Sequence, residues 1–365
     1  MIQFTASKTH PSKGALMAGL LAAILYSCVP AVSAAGYTVQ SLNVPGAATR
    51  MSDNGAIAGT YVSKCTTFNY GPHEKGTYCY YAPWFYDGKG VTKLSNVWSN
   101  TRSTAADIND SLQLTGSDGS GAWLYAGGTV MRLTGGTPVA INNAGAAVGN
   151  APNASFTYRA VRFTNGVGTE VLFNDPYLSS PTTSIWTADI NDSGLITGWY
   201  KDAGNLYQSY VVDTNGSVTL IPNLGGTTAP VNCQPTRISE ANPTTGETWI
   251  VGNCSGRAFM YELTSGTLTE LANLPGASNL NVASVNSSGE AAGTSTLTGG
   301  VATAVMWPAG TTSGTIPTDL NANQAIVSGA TINLRVIDID TAGAILIDYL
   351  DSQYNRITDL LQPIP

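Results

Sequence analysis

Short apolar runs separated by turns of Asn, Asp, Ser and Gly fill the chain, and they come in a unit that returns seven times. Each unit opens with an apolar strand, passes through the polar turn, and continues into a second apolar strand that usually ends on Gly. The copies read ATRMSDNGAIAG (48–59), AADINDSLQLTG (105–116), PVAINNAGAAVG (138–149), TADINDSGLITG (187–198), TRISEANPTTGETWIVG (236–252), VASVNSSGEAAG (282–293) and RVIDIDTAGAILI (335–347). Their closing positions lie 33 to 57 residues apart. A period near 50 marks a repeat architecture and overrides the two domains that length alone would suggest. No 3.6-residue periodicity is sustained, so no amphipathic helix is predicted.

Each unit carries two more strands. The third begins on a small residue and ends aromatic or apolar, as in Ala82 to Tyr86, Ala122 to Tyr125 and Ala160 to Phe163. A Gly turn leads to a fourth, such as Val91–Leu94 or Leu268–Leu271. Four short strands repeated radially describe a β-propeller blade. A sandwich or an open solenoid would also use such strands, but neither accounts for the chain ends. The last unit has only three strands, whereas TVQSLNVPGA near the start parallels the fourth strand TLTELANLPGA at 267–277. The sequence therefore predicts an all-β, seven-bladed propeller of four-stranded antiparallel blades over 36–365, its ring closed by the strand Tyr37–Asn43.

One repeat adds a resemblance. RAFMYELTSGTLTEL (257–271), following a turn of the IN-x-x-G type, resembles the HAF-repeat family of extracellular bacterial proteins. The family's histidine position holds Arg257 here, and Arg159, Thr303 or Gly121 in other repeats. The resemblance implies a bacterial, exported protein and carries no activity with it.

Residues 1–35 have the form of a secretory signal peptide. Lys8 and Lys13 precede an apolar run from Ala15 to Tyr26, and Ala31–Ala35 supplies small residues, so cleavage is expected near Ala34. The run is short for a membrane anchor, and Tyr26 is bulky for a lipoprotein motif ending at Cys28. Export predicts a secreted or periplasmic protein with no membrane span. The mature chain keeps Cys65, Cys79, Cys233 and Cys254, an even count that reads as two disulfides. Three pairings exist; Cys65–Cys79 with Cys233–Cys254 is the most local. A metal site is the competing reading, weakened by the absence of CxxC spacing and by a single mature histidine, His73.

Composition narrows the function classes. Charged residues are 11% of the chain against about 25% in typical proteins, with 16 Lys and Arg against 23 Asp and Glu. Without a basic surplus, nucleic-acid binding is not expected. No P-loop, GxGxxG, HExxH or GxSxG occurs. Asp189-Ile190-Asn191-Asp192-Ser193-Gly194 resembles the start of a calcium loop, but position twelve is Tyr200 rather than Glu. A hairpin turn explains it and its copies, so no cofactor is assigned, calcium being the one weak candidate. Asp338 and Asp340 fall on one strand face by alternation, and Asp107 and Asp189 hold the equivalent of Asp338 elsewhere, which favours structure over glycosidic chemistry.

The functional expectation is an exported, monomeric binding or surface-interaction module, with extracellular polysaccharide or a surface protein as partner. The alternative is a propeller hydrolase or lyase acting on polysaccharide. Long connections fall between second and third strands and between blades: Val62–Tyr78, Val97–Ser103, Asn174–Ser184 and Asn223–Pro235. The face carrying them is the expected binding face, with Tyr70, His73, Tyr78, Trp98, Tyr177 and Trp186 as candidate ligand contacts.

Overall fold

A computed structural model describes residues 36–69, 75–95, 102–225, 231–321 and 332–364. These form seven four-stranded antiparallel sheets. Six are simple meanders, blades 1 to 6, beginning with the inner strands Ala47–Met51, Thr104–Ile108, Thr137–Ile141, Ile185–Ile190, Cys233–Ile238 and Ala277–Val285. Blade 7 takes three strands from the chain's end, Ile332–Ile339, Ile345–Leu350 and Arg356–Pro363. Its outermost strand is Tyr37–Ser41, paired antiparallel from Tyr37 opposite Pro363 to Ser41 opposite Asp359. The closure expected from the complementary ends is the observed one. Among the described residues no helix is long and apolar enough to cross a membrane.

In at least three of the repeats the closing glycine has a steric cause in an aromatic side chain. Gly59, Gly116 and Gly252 sit directly opposite Trp84, Trp123 and Phe259. A Cβ at Gly116 would lie 2.2 Å from the Trp123 ring and 2.1 Å from the Thr104 carbonyl. The aromatic of strand three lies flat over a bare backbone, which is why Gly and aromatic recur together.

The core is divided into seven clusters, one at each junction between neighbouring blades. Phe85 and Leu94 of blade 1 meet Ala105, Ile108 and Trp123 of blade 2, and Leu346 and Leu360 of blade 7 meet Met51, Ile57 and Trp84 of blade 1. Every blade is thus covered on both sides by another, the requirement of a stacked repeat.

Both local disulfides form. Cys65 faces Cys79 and Cys233 faces Cys254 across antiparallel pairs. The segment Val62–Tyr78, expected as a connection, is largely strand. Ile57–Asn69 pairs with Lys75–Tyr86 far beyond the ring, and the first disulfide clamps that extension. Thr, Val, Tyr and Phe in TYVSKCTTFN favour the extended chain that the length of the segment had suggested to be loop.

Candidate functional site

Every inner strand carries a one-residue bulge two positions before its end, between Ala48/Arg50, Ala105/Asp107, Pro138/Ala140, Thr187/Asp189, Pro235/Arg237, Val282/Ser284 and Val336/Asp338. A bulge re-aims the side chain that follows it. Here it places Arg50, Asp107, Ala140, Asp189, Arg237, Ser284 and Asp338 at one level of the bore. Arg237 of blade 5 reaches across that bore. Its Nη2 donates to Asp338 Oδ2 of blade 7 and, at 3.2 Å, to the Met51 carbonyl of blade 1, while Nη1 lies 3.4 Å from Asp189 Oδ1 of blade 4. Burial alone would lower the guanidinium pKa; Asp338, Asp189 and Asp107 outweigh it and hold the group charged.

The aspartates also clip blades together. Asp338 accepts the Met51 N–H at 3.1 Å, Asp107 the Ile141 N–H at 2.8 Å, and Asp189 the Ile238 N–H at 3.1 Å. Two positions on, Asn109, Asn142 and Asn191 each cap their own turn through Oδ1 and donate through Nδ2 to the backbone carbonyl at the same position of the next blade. The polar turn of the repeat is therefore both a hairpin turn and a blade-to-blade tie.

At this end the bore narrows to a cavity of about 40 Å³ walled by Asp53, Asp107, Asp189, Asp192, Glu240 and Asp338 with Arg237. Burial raises Asp53 to about 7 and Glu240 to about 8. Burial also raises Asp107, to about 6, against the lowering effect of Arg237 and Arg50. These carboxyls ionise near 4 in an unfolded chain. The folded state therefore holds their protons more tightly, and the penalty for ionising them grows from pH 4 upward and is complete above pH 8. The expected result is a melting temperature higher at pH 5.5 than at pH 8.5, and a thermal scan across that window checks it.

The opposite end of the bore is wide. A cavity of about 660 Å³ opens there, lined by Arg50, Val139, Ala188, Trp199, Ala283 and Arg335, among others. Arg335 pairs with Asp348 at 2.9 Å, while Arg50 has no ion-pair partner among the described residues. Beside the opening, Trp186 stacks on Trp199 with centroids 6.1 Å apart and planes at 13°. Tyr158 and Tyr207 flank Trp186 at 5.9 and 6.1 Å. The loop behind this group is rigidly held. Arg159, the counterpart of the resembled family's histidine, is buried and donates to the carbonyls of Leu178, Ser180 and Thr183 while pairing with Glu170. Asn153 Nδ2 and Thr157 Oγ1 both donate to the Pro181 carbonyl.

Two residues at this end pay conformational strain for exposure. The turns 153–157, 202–206 and 351–355 share one design: the side-chain Oδ1 of Asn153, Asp202 or Asp351 caps the backbone N–H two and four residues on. The fourth residue is left-handed in each, with φ 57° at Phe156, 63° at Asn205 and 63° at Tyr354. Asn suits that conformation; a bulky aromatic costs about 1 kcal/mol there. Yet Phe156 is 92% and Tyr354 73% exposed. Burial therefore does not offset the strain at these two positions.

The sequence-derived candidates separate on the structure. Trp186 lies in the aromatic group. Tyr177 is part-exposed beside it, packs edge-on against Tyr200 at 5.7 Å and donates its hydroxyl to the Lys201 carbonyl. Tyr78 stands apart on the long hairpin, under the Arg102 guanidinium at 4.7 Å. Tyr70, His73 and Trp98 lie outside the described residues. Asp338 and Asp340 do not act as a pair: the bulge sends Asp338 into the bore, and Asp340 caps its turn through the N–H groups of Ala342 and Ala344. The calcium-like segment 189–194 spends its oxygens on protein donors, Asp189 on Arg237 and Ile238, Asn191 on Leu195, and Asp192 on Asn143. Arg237, Glu240, Trp199, Phe156 and Tyr354 were not singled out. The signal for Arg237 was present, since the repeat places a cation there where three other copies have Asp.

No family model matches the chain, and no curated protein matches it. Solved structures are similar at low identity. The extracellular domain of a one-component system from B. thetaiotaomicron is 13% identical with a TM-score of 0.49, covering 88% of this chain and 39% of its own. Trypanosoma rangeli sialidase is 13% identical with a TM-score of 0.39, covering 87% and 54%. TolB from Acinetobacter baumannii is 10% identical with a TM-score of 0.33, covering 88% and 86%. The chain spans about two fifths to three fifths of the length of the first three solved structures it matches.

Proposed function

We propose that the protein is an extracytoplasmic binding module that takes an oligosaccharide at the wide end of its bore. The stacked Trp186–Trp199 pair, open to an Arg-lined cavity, carries this reading. An aromatic face bordered by charged donors suits a ring with one apolar face and a hydroxyl rim. The two disulfides support an oxidising compartment. Binding is favoured over hydrolysis because the bore carboxylates Asp189 and Asp338 are tied to Arg237 and to backbone donors.

A glycan array followed by calorimetric titration of the best hit tests the reading. Trp199→Ala is expected to weaken binding at least tenfold. Phe156→Asn separates contact from folding. Relief of the left-handed strain raises stability by about 0.5–1 kcal/mol, while affinity falls. An array without hits, or unchanged affinity in both variants, removes carbohydrate from consideration at this end.

A further inference from the structure

The narrow end holds a second site. We infer that the cavity behind the polar turns binds one small cation, at a place separated from the wide end by Arg237. Three observations converge. The lining carries six carboxylates, those of Asp53, Asp107, Asp189, Asp192, Glu240 and Asp338, against the single guanidinium of Arg237. That guanidinium is already committed to Asp338 and Asp189. Asp107 lines the same cavity, is only 2% exposed, and its Oδ1 has no hydrogen-bond partner, although Oδ2 accepts the Ile141 N–H.

A buried carboxylate oxygen left unpaired costs free energy unless a donor or cation meets it. Asp192 and Asp110 are held by Asn143, and Glu240 accepts the Asp192 N–H, so the mouth of the cavity is built and its acids are fixed in place. The space, about 40 Å³, admits a small ion with part of its water or the ammonium end of an amine. Among the described residues no three acidic side chains are spaced to hold a metal directly, so a metal ion would keep water between itself and some of the carboxylates.

The raised proton affinities of Asp53, Asp107 and Glu240 are consistent with a site of uncompensated negative charge. Protons and the cation then compete, and occupancy should fall as pH falls.

The test uses the whole mature protein at pH 8 in calcium chloride, methylammonium chloride or choline chloride at matched ionic strength, read by thermal midpoint and by equilibrium dialysis. Calcium or methylammonium is expected to raise the midpoint saturably by at least 3 °C, and choline, whose methylated nitrogen offers the carboxylates no N–H, is not. The one that acts identifies the cation as a partly hydrated metal ion or an amine. The apparent affinity is expected to drop at least tenfold at pH 5.5. Asp107→Asn keeps an acceptor for Ile141 and is expected to fold while losing the saturable rise; Asp53→Asn serves as a second variant at the same cavity. Equal midpoints in all three salts, or a saturable rise undiminished in both variants, overturns the proposal.

Discussion

Arg237→Met is expected to destabilise the ring by about 3–5 kcal/mol, the cost of leaving buried carboxylates without their cation. Methionine matches much of the length of the side chain, so the loss reads charge rather than volume. Asp189 and Asp338 are 3% and 1% exposed and face each other's fields across the bore, and without Arg237 they face them uncompensated. The triple variant Arg237→Met, Asp189→Asn, Asp338→Asn removes all three charges while keeping acceptors for Ile238 and Met51. It should recover part of the loss, because the two carboxylates that Arg237 pairs with directly then need no counter-ion. Denaturant unfolding of both variants decides the matter. A single variant within about 0.5 kcal/mol of the parent would show that the network contributes nothing net.

Removal of residues 37–43 is expected to cost as much or more. Tyr37 and Leu42 are buried in the clusters that join blade 7 to blades 6 and 1. At 1.5–3 kcal/mol per large apolar side chain, roughly 3–6 kcal/mol goes with them. The strand Arg356–Pro363 is left with a free edge. For a domain of this size the midpoint should fall roughly 5–10 °C in one cooperative transition. Calorimetry of the truncated chain that gave the parental midpoint would mean that the ring does not depend on its seal.

The fold was legible because the repeat announces itself locally. Gly59 with Trp84, or Gly252 with Phe259, are signals within a few dozen residues, and the missing fourth strand of the last unit was visible by subtraction. The site was less legible for two physical reasons. Alternation holds only while the strand lasts: the strand ends at Ile339, so Asp338 points into the bore while Asp340, grouped with it by spacing, already belongs to the turn. The bore and the aromatic group also join residues far apart in sequence. Arg237 and Asp338 are separated by 101 residues, and the Trp186 group draws on four strands of two blades. Spacing along one strand cannot say which blades face each other, nor that Arg159 is the bolt of the loop carrying Tyr177.

The pairing of Tyr37–Ser41 with the end of the chain also sets an order of events. Gln40 and Gln362, hydrogen-bonded in the folded ring, are separated by 322 residues. A ribosome makes the first of them long before the second. Throughout synthesis the leading strand has no partner, and the six meander blades can assemble while the ring stays open. Contacts of such separation form slowly, and an unpaired edge recruits other chains in the meantime. Which pairing spans the longest stretch of chain is thus set by where the chain is cut open rather than by how well it packs. Rejoining the ends and opening the ring within the exposed turn 202–206 instead would turn that last, distant pairing into an ordinary hairpin.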